Sequence, residues 1–361
     1  MKKVIAVLAG DGIGPEIMRA SLPLLEKAAE IGGHEVHLVE GFVGWAAFDI
    51  HGDTMPKETW DICHSSDAIL FGAVGLPDRN KDAKPEMQPE RRALLPLRQQ
   101  FAMNVNIRPT RVYPQLQHLS PLRDERIGAG INLTFFRELN GGDYFGRREL
   151  DPNGKWAEDT CRYERSQVES IARAAFETAQ KTGQGVTSID KANVLGATGT
   201  FWRGIVQKLH DDEFSGVPLR HEYVDAFNLY LFTKPSEFQI ILTSNAYGDI
   251  LSDGAAGLAG SMGLLPSASL NRETGFAMYE PSGGSAPDIA GKGIANPIAM
   301  ILSIALMFRY TFEDNATAAL IENAVHKALM QGVRTSDIAR KGETATGTVG
   351  MVHTVMENMS R

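Results

Sequence analysis

The sequence predicts an α/β protein built on more than one core. Short apolar runs of the length of buried strands recur at 4–8, 68–72 and 238–243, and 186–189 reads as a further strand. Amphipathic, helix-length segments such as 15–31 and 167–181 alternate with them, the pattern of strands covered by helices. The 361 residues exceed what one core usually spans, so two domains or one large α/β unit are expected. Hydrophobic content of 43% and charged content of 22% are those of an ordinary soluble globular chain. The net charge of -8, without a Lys/Arg block, argues against nucleic acid and anionic membranes as partners.

The first strand, 4–8, leads into Gly10-Asp11-Gly12-Ile13-Gly14-Pro15-Glu16. This loop lacks the ordinary dinucleotide fingerprint, because Pro15 stands where the third glycine belongs. Pro15 instead suits the first turn of a helix reaching about residue 31. Its apolar run is also too short for a signal peptide, and 298–308 is well short of the roughly 20 residues a bilayer needs. Cys63 and Cys161 offer neither a disulfide framework nor metal-ligand spacing, which fits a reducing cytoplasm.

Strands follow at 34–39 and 68–72. Residues 78–92 are polar and aperiodic, and are expected to form a mobile surface loop. Arg98, Arg108 and Arg137, the last at the end of a strand over 133–138, are candidate carboxylate clamps or plain surface residues. Gly141 to Gly146 is a glycine-rich turn carrying Tyr144, and 147–160 reads as a hairpin arm turning at Asp151-Pro152-Asn153-Gly154. Lys191 follows the strand 186–189, where ligand sites of α/β sheets lie, although a surface lysine reads the same way. A second amphipathic segment spans 201–210, and 221–225 reads as a strand ending in Asp225.

The strand 238–243 turns into Ser244 to Asp253, a strand-to-helix corner. Asp249 and Asp253, four apart, share one helix face. Their repulsion is relieved by a hard divalent cation, and an ordinary solvated helix face is the alternative. Residues 280–297 form a Gly/Ala/Pro-rich loop in which Asp288 could accept ribose hydroxyls, or which simply connects. From 298 onward the chain reads as helical.

Several motifs, in order, resemble the decarboxylating β-hydroxyacid dehydrogenases, the isocitrate/isopropylmalate dehydrogenase family. They are GDGIGPE at 10–16, LLPLR at 94–98, RP at 108–109, REL at 137–139, YFG at 144–146, DKANVL at 190–195, Asp225 opening a helix, GDILSD at 248–253, GLLPSAS at 263–269 and GSAPDIAGKGIANP at 284–297. The resemblance implies a two-domain fold with a large mixed sheet, distinct from an ordinary Rossmann fold. Residues 1–104 and 260–361 would form one domain. Residues 105–259 would form the other, carrying the dimer contact and an arm around 140–160. It further implies a homodimer whose active sites are shared, with Lys191 and Asp225 reaching into the site of the second subunit.

The same resemblance implies the chemistry. Arg98, Arg108 and Arg137 would hold the substrate carboxylates, and Asp225, Asp249 and Asp253 would ligate Mg²⁺ or Mn²⁺. Lys191 would be the base and Tyr144 the acid, with Asp225 beside them in the catalytic set. Leu94, Leu95 and Val194 would form an apolar wall for the substrate side chain, with Glu90 near both substrate and nicotinamide. Ile13 and the loop Gly284, Ser285, Ala286, Pro287, Asp288, Ile289, Ala290, Gly291, Lys292, Gly293, Ile294, Ala295 and Asn296 would bind NAD. Asp288 would disfavour the 2′-phosphate of NADP. The implied reaction is oxidative decarboxylation of 3-isopropylmalate to 4-methyl-2-oxopentanoate and CO₂ in leucine biosynthesis. D-malate, tartrate or another 3-substituted malate are alternative substrates, and a non-catalytic regulatory subunit is the alternative of another class. Four features depart from the family pattern: one extra residue after Leu195, the 76–89 loop, Gly283 in place of a histidine, and polar Asn228 on a helix expected at the dimer contact.

Overall fold

The structure, a computed structural model, describes residues 1–128 and 130–360; Ala129 and Arg361 lie outside the described residues. Its strands begin with Lys2–Gly10 (β1), Glu35–Gly41 (β2), Ala68–Ala73 (β3), Val105–Val112 (β4), Ile131–Glu138 (β5) and Arg148–Leu150 (β6). They continue with Ala157–Asp159 (β7), Val186–Asp190 (β8), Leu219–Tyr223 (β9), Ile240–Thr243 (β10), Pro266–Leu270 (β11) and Ala277–Pro281 (β12). The helices are Gly14–Ile31 (α1), Trp45–His51 (α2), Lys57–His64 (α3), Pro77–Asp82 (α4), Leu95–Gln100 (α5), Asp124–Ile127 (α6) and Arg165–Thr182 (α7). Then come Thr198–Glu213 (α8), Val224–Thr233 (α9), Asn245–Ala259 (α10), Ile298–Tyr310 (α11), Asn315–Met330 (α12) and Thr348–Met359 (α13). Two compact units result: Met1–Phe101 with Gly260–Arg361, and Ala102–Ala259.

The first unit orders its strands β2-β1-β3-β12-β11. β1 pairs in parallel with β2 and β3, while β12 runs parallel to β3 and antiparallel to β11. The sheet is therefore mixed, which sets it apart from an all-parallel Rossmann sheet. Every residue of β3 is buried, as its unbroken apolar run requires. α11 is buried along 298–308, so the most apolar stretch of the chain is a core helix. α1 begins with Pro15 in its first turn and packs its Ile17, Leu24, Leu25 and Ala28 stripe toward α11, α12 and α13.

The second unit orders its strands β4-β5-β10-β8-β9, all parallel except the β4–β5 pair. Its core gathers Phe135, Ile189, Phe227, Phe238, Ile241 and Leu251. The parallel strands bring Arg137, Asp190 and Thr243 to their carboxyl ends. There the apolar run stops and polar side chains begin. β6 and β7 pair antiparallel as the expected hairpin arm.

Four expectations are corrected. Residues 78–92 are ordered into α4, a short 3-10 turn at Pro85–Met87 and a one-turn π-helix over Glu90–Leu94. Pro77 starts the first of these, and Trp45 Nε1 holds Asn80 at 2.8 Å. Asp225 belongs to the first turn of α9, because β9 stops at Tyr223. Glu280 and Pro281 close β12, whose hairpin with β11 has too little alternation to be read in the sequence. Residues 331–347 break the helical run between α12 and α13. Among the described residues, no helix is long and apolar enough to cross a membrane.

Candidate active site

In the second unit, β4, β5 and α10 converge on one cluster. Ser244 leaves β10 and Asn245 opens α10, so Asp249 and Asp253 stand one turn apart on the same face. Gly248 lets that face close onto β5, since a Cβ there would meet Arg137 Cγ at 2.6 Å. Arg137 is 1% exposed and donates to Asp249 Oδ1. Arg108 Nη1 bridges both carboxylates, at 3.2 Å to Asp249 Oδ1 and 3.2 Å to Asp253 Oδ1, and reaches Ser252 Oγ at 2.9 Å. The Tyr144 hydroxyl donates to Asp249 Oδ2 at 2.9 Å.

The electrostatics follow from crowding. Partial desolvation pushes the Asp253 carboxyl up although the side chain is about half exposed (55%); Arg108 opposes the shift and Asp249 adds to it. Burial and then the Asp249 charge push the Tyr144 phenol up, which keeps its proton in place near neutrality. Glu138 lies behind the cluster, fully buried, and accepts the backbone N–H groups of Asn140 and Gly141 at 2.8 Å each. Burial pushes its carboxyl up to about 7.

The donor set suits a hard divalent cation. Two carboxylates share one face, and Asp253 Oδ2 takes no hydrogen bond among the described residues. The guanidinium groups of Arg108 and Arg137 supply positive charge to the pair. No group of three His, Cys, Asp or Glu side chains is assembled among the described residues. Asp225 sits instead against Lys191, Oδ1 to Nζ 2.5 Å, and this hydrogen bond holds its carboxyl below the usual range. Beside Lys191 lies a cavity of about 190 Å³ bordered by Asp143, Cys161, Tyr163, Trp202 and Tyr247. The Cys161 thiol facing it is pushed up to about 12 by burial and by Asp143, so it is no reactive thiolate. Val194 and Leu195 are exposed in the turn leading into α8.

The first unit holds the other expected residues. Arg98 is buried and donates to Glu280 at 2.9 Å, while its Nε has no hydrogen-bond partner among the described residues. Leu94 and Leu95 are half-buried at the junction of the π-turn and α5. Glu90 accepts from Asn80 Nδ2 at 3.2 Å. Asp11, buried in the first loop, accepts N–H groups from Trp45, Ala46 and Gly75 at 3.1, 2.9 and 2.8 Å, tying three loops together.

The Gly-rich loop is pinned at both ends and exposed between them. Ile13 N donates to Ser285 O at 2.7 Å, and Gly12 (φ +58°) fits only because it has no Cβ, which would sit 2.0 Å from that oxygen. Glu16 accepts from Gly293 N at 3.2 Å and Ala295 N at 3.0 Å. In the span between, Ala286 adopts φ +38°, strained for a residue with a Cβ, and Asp288 is an exposed carboxylate without a side-chain partner among the described residues. A small-residue loop with one free carboxylate fits a dinucleotide whose ribose hydroxyls need an acceptor.

Asp11, Glu16, Glu138, Asn245 and Glu280 were not singled out from sequence. Asn245, the polar residue that opens a helix directly after a strand, carried the clearest signal.

The chain is similar to known proteins along nearly its whole length. Residues 4–355 match the isocitrate/isopropylmalate dehydrogenase family. The 3-isopropylmalate dehydrogenase of Haemophilus influenzae is 50% identical over 338 residues, 93% of each chain. That of Escherichia coli (strain K12) is 48% identical over 347 residues, 95% of this chain and 94% of its own. Among solved structures, isocitrate dehydrogenase from Methylococcus capsulatus aligns with a TM-score of 0.85 at 29% identity over 99% of both chains. A beta-decarboxylating dehydrogenase from Thermococcus kodakarensis aligns with a TM-score of 0.78 at 32% identity, covering 99% of this chain and 96% of its own.

Proposed function

The chain belongs to the isocitrate/isopropylmalate dehydrogenase family, and from that premise we propose that it oxidatively decarboxylates 3-isopropylmalate to 4-methyl-2-oxopentanoate, reducing NAD, in leucine biosynthesis. The observation that carries this is the cluster in which Arg108 and Arg137 meet Asp249, Asp253 and Tyr144. The named relatives at about half identity select the substrate from those the family accepts.

Arg98, Arg108 and Arg137 bind the substrate carboxylates, since guanidinium matches a carboxylate with parallel donors. The orphaned Arg98 Nε is a donor still to be satisfied. Asp249 and Asp253, with Asp225 of a second subunit, would hold Mg²⁺ or Mn²⁺; Ile13, Glu90 and 284–296 would hold NAD. When bound, the metal acidifies the substrate hydroxyl and stabilises enolate charge, and the dinucleotide accepts the hydride. Lys191 of the second subunit takes the hydroxyl proton. Once CO₂ has left, Tyr144 returns a proton to C3, the carbon that bore it. Leu94 and Leu95, with Val194 of the second subunit, enclose the isopropyl group, and the Glu90 carboxylate repels a third carboxylate.

Homodimerisation is supported by apolar side chains left exposed. Leu229 and Phe232 on α9 are 58% and 43% exposed and Ile250 on α10 is 68% exposed, apolar surface that a second subunit would cover. Asn228 is exposed on α9 as well, a polar group that the second subunit must satisfy. Free Cys63 and Cys161 fit a cytoplasmic enzyme.

The direct test is NAD reduction with Mn²⁺ on 3-isopropylmalate, isocitrate and D-malate in parallel. Preference for 3-isopropylmalate is expected. Activity confined to another substrate overturns the substrate assignment, and inactivity on all three overturns the enzymatic one. Dilution to monomer is expected to abolish turnover at saturating metal.

A further inference from the structure

Asn245 is 0% exposed and every polar atom of its side chain is engaged. Its Oδ1 accepts both Nε and Nη2 of Arg137, at 3.1 and 2.7 Å. Its Nδ2 donates to the carbonyl of Gly141 at 2.9 Å, and its backbone N–H reaches the Tyr163 hydroxyl at 3.0 Å. The amide cannot be turned over, because that would set an NH₂ against a guanidinium and an oxygen against a carbonyl. Gly141 and Gly142 begin the 3-10 turn that ends at Tyr144. One amide therefore links the Nε/Nη2 edge of the Arg137 guanidinium to the base of the turn that presents the tyrosine.

We propose that Asn245 is a positioning residue that sets Arg137 for substrate binding with its oxygen and Tyr144 for proton delivery with its nitrogen. This rests on the roles given above to Arg137 and Tyr144. Its two halves are separable. Asn245→Asp keeps the oxygen and replaces the donor by a second acceptor facing the Gly141 carbonyl. Asn245→Ala removes both functions.

The test uses the full-length enzyme, with Mn²⁺ alone for binding and with Mn²⁺ and NAD for turnover. By calorimetry, Asn245→Asp binds 3-isopropylmalate within about threefold of the parent, whereas Asn245→Ala binds at least about tenfold more weakly, the loss of a buried charged hydrogen bond. Asn245→Asp lowers kcat by at least about tenfold, and in a Tyr144→Phe background it lowers kcat no further, within about twofold, because both changes disable one group. A residue that merely stabilises the fold moves the melting temperature and leaves no such split. Asp is favoured near a helix start, so this variant retains α10. Parental kcat in Asn245→Asp, losses that multiply in the double variant, or unweakened binding in Asn245→Ala overturn the proposal. If the parent itself reduces no NAD, the reaction assignment falls, and a crystal structure of Asn245→Asp decides separately. A Tyr144 hydroxyl still bonded to Asp249 there refutes the positioning role, and a displaced one supports it.

Discussion

Tyr144 donates to Asp249 across 2.9 Å, so the proposed proton donor and a proposed metal ligand share one hydrogen bond. A carboxylate neutralised by a cation is a weaker acceptor, so a metal held by Asp249 would loosen the phenol for transfer to substrate. Tyr144→Phe is therefore expected to lower kcat by about 100- to 10,000-fold, the usual range for a positioned acid, with the KM for substrate nearly unchanged. Steady-state kinetics read this, and a near-parental kcat would sink the assignment.

Lys191 faces Asp225 in an ion pair whose carboxylate is largely exposed, so the pair contributes little to stability. Lys191→Ala should melt with the parent yet turn over about 100- to 10,000-fold more slowly. Lys191→Arg should not restore the rate, since a guanidinium cannot give up its proton to act as a base. Recovery of turnover in the arginine variant would show that the position needs only charge.

Glu138 gives a pH signature. Its carboxyl titrates near 7 in the fold against an ordinary value of 4.5, so between these values the folded chain binds more protons than the unfolded one. Stability linked to Glu138 is full below about 4.5 and is lost as pH rises through about 7. Glu138→Gln lacks this titration. The stability of parent minus variant should fall from pH 5 to 8 by on the order of 3 kcal/mol, measured by denaturant unfolding. A flat or rising difference contradicts it.

Asp253 is expected to matter to the protein only when metal is present. Asn at this position keeps the oxygen that faces Arg108, so metal-free Asp253→Asn should unfold within about 1 kcal/mol of the parent. Mn²⁺ at one hundred times its Kd should stabilise the parent by about 2.7 kcal/mol and the variant by less than half that. Equal thermal shifts in the two proteins exclude Asp253 as a ligand. Chelation should abolish NAD reduction by the parent.

Cofactor choice should follow the charge at 288. Asp288→Lys is expected to raise kcat/KM for NADP relative to NAD by at least about tenfold, through loss of repulsion and gain of a phosphate partner. An unchanged ratio would move ribose recognition elsewhere in the loop.

Much of the fold was legible because its strands include buried apolar runs: 68–72 and 238–243 each lie within or against an observed strand, and Val186 and Ile189 mark β8 although Thr187 and Ser188 between them are polar. The β11–β12 hairpin was not, since Pro266-Ser267-Ala268-Ser269 carries little apolar signal and is buried by small size. The order in 78–92 was hidden for another reason: it depends on Trp45, more than thirty residues away in sequence, gripping Asn80. At the site, spacing showed that Asp249 and Asp253 share a face. It could not show that Arg108 would bridge them, nor that Arg98 would also pair with Glu280. Long-range charge pairing leaves no periodicity behind.

β3 lies between β1 and β12, and β12 is drawn from residues beyond the whole of the second unit. During synthesis one edge of β3 therefore stays open until the ribosome has passed Pro281, whereas Ala102–Ala259 has all five of its own sheet strands as soon as it emerges. A nascent or truncated chain that stops before β12 exposes a fully apolar strand edge, so chaperone dependence and aggregation of this protein should concentrate in that interval.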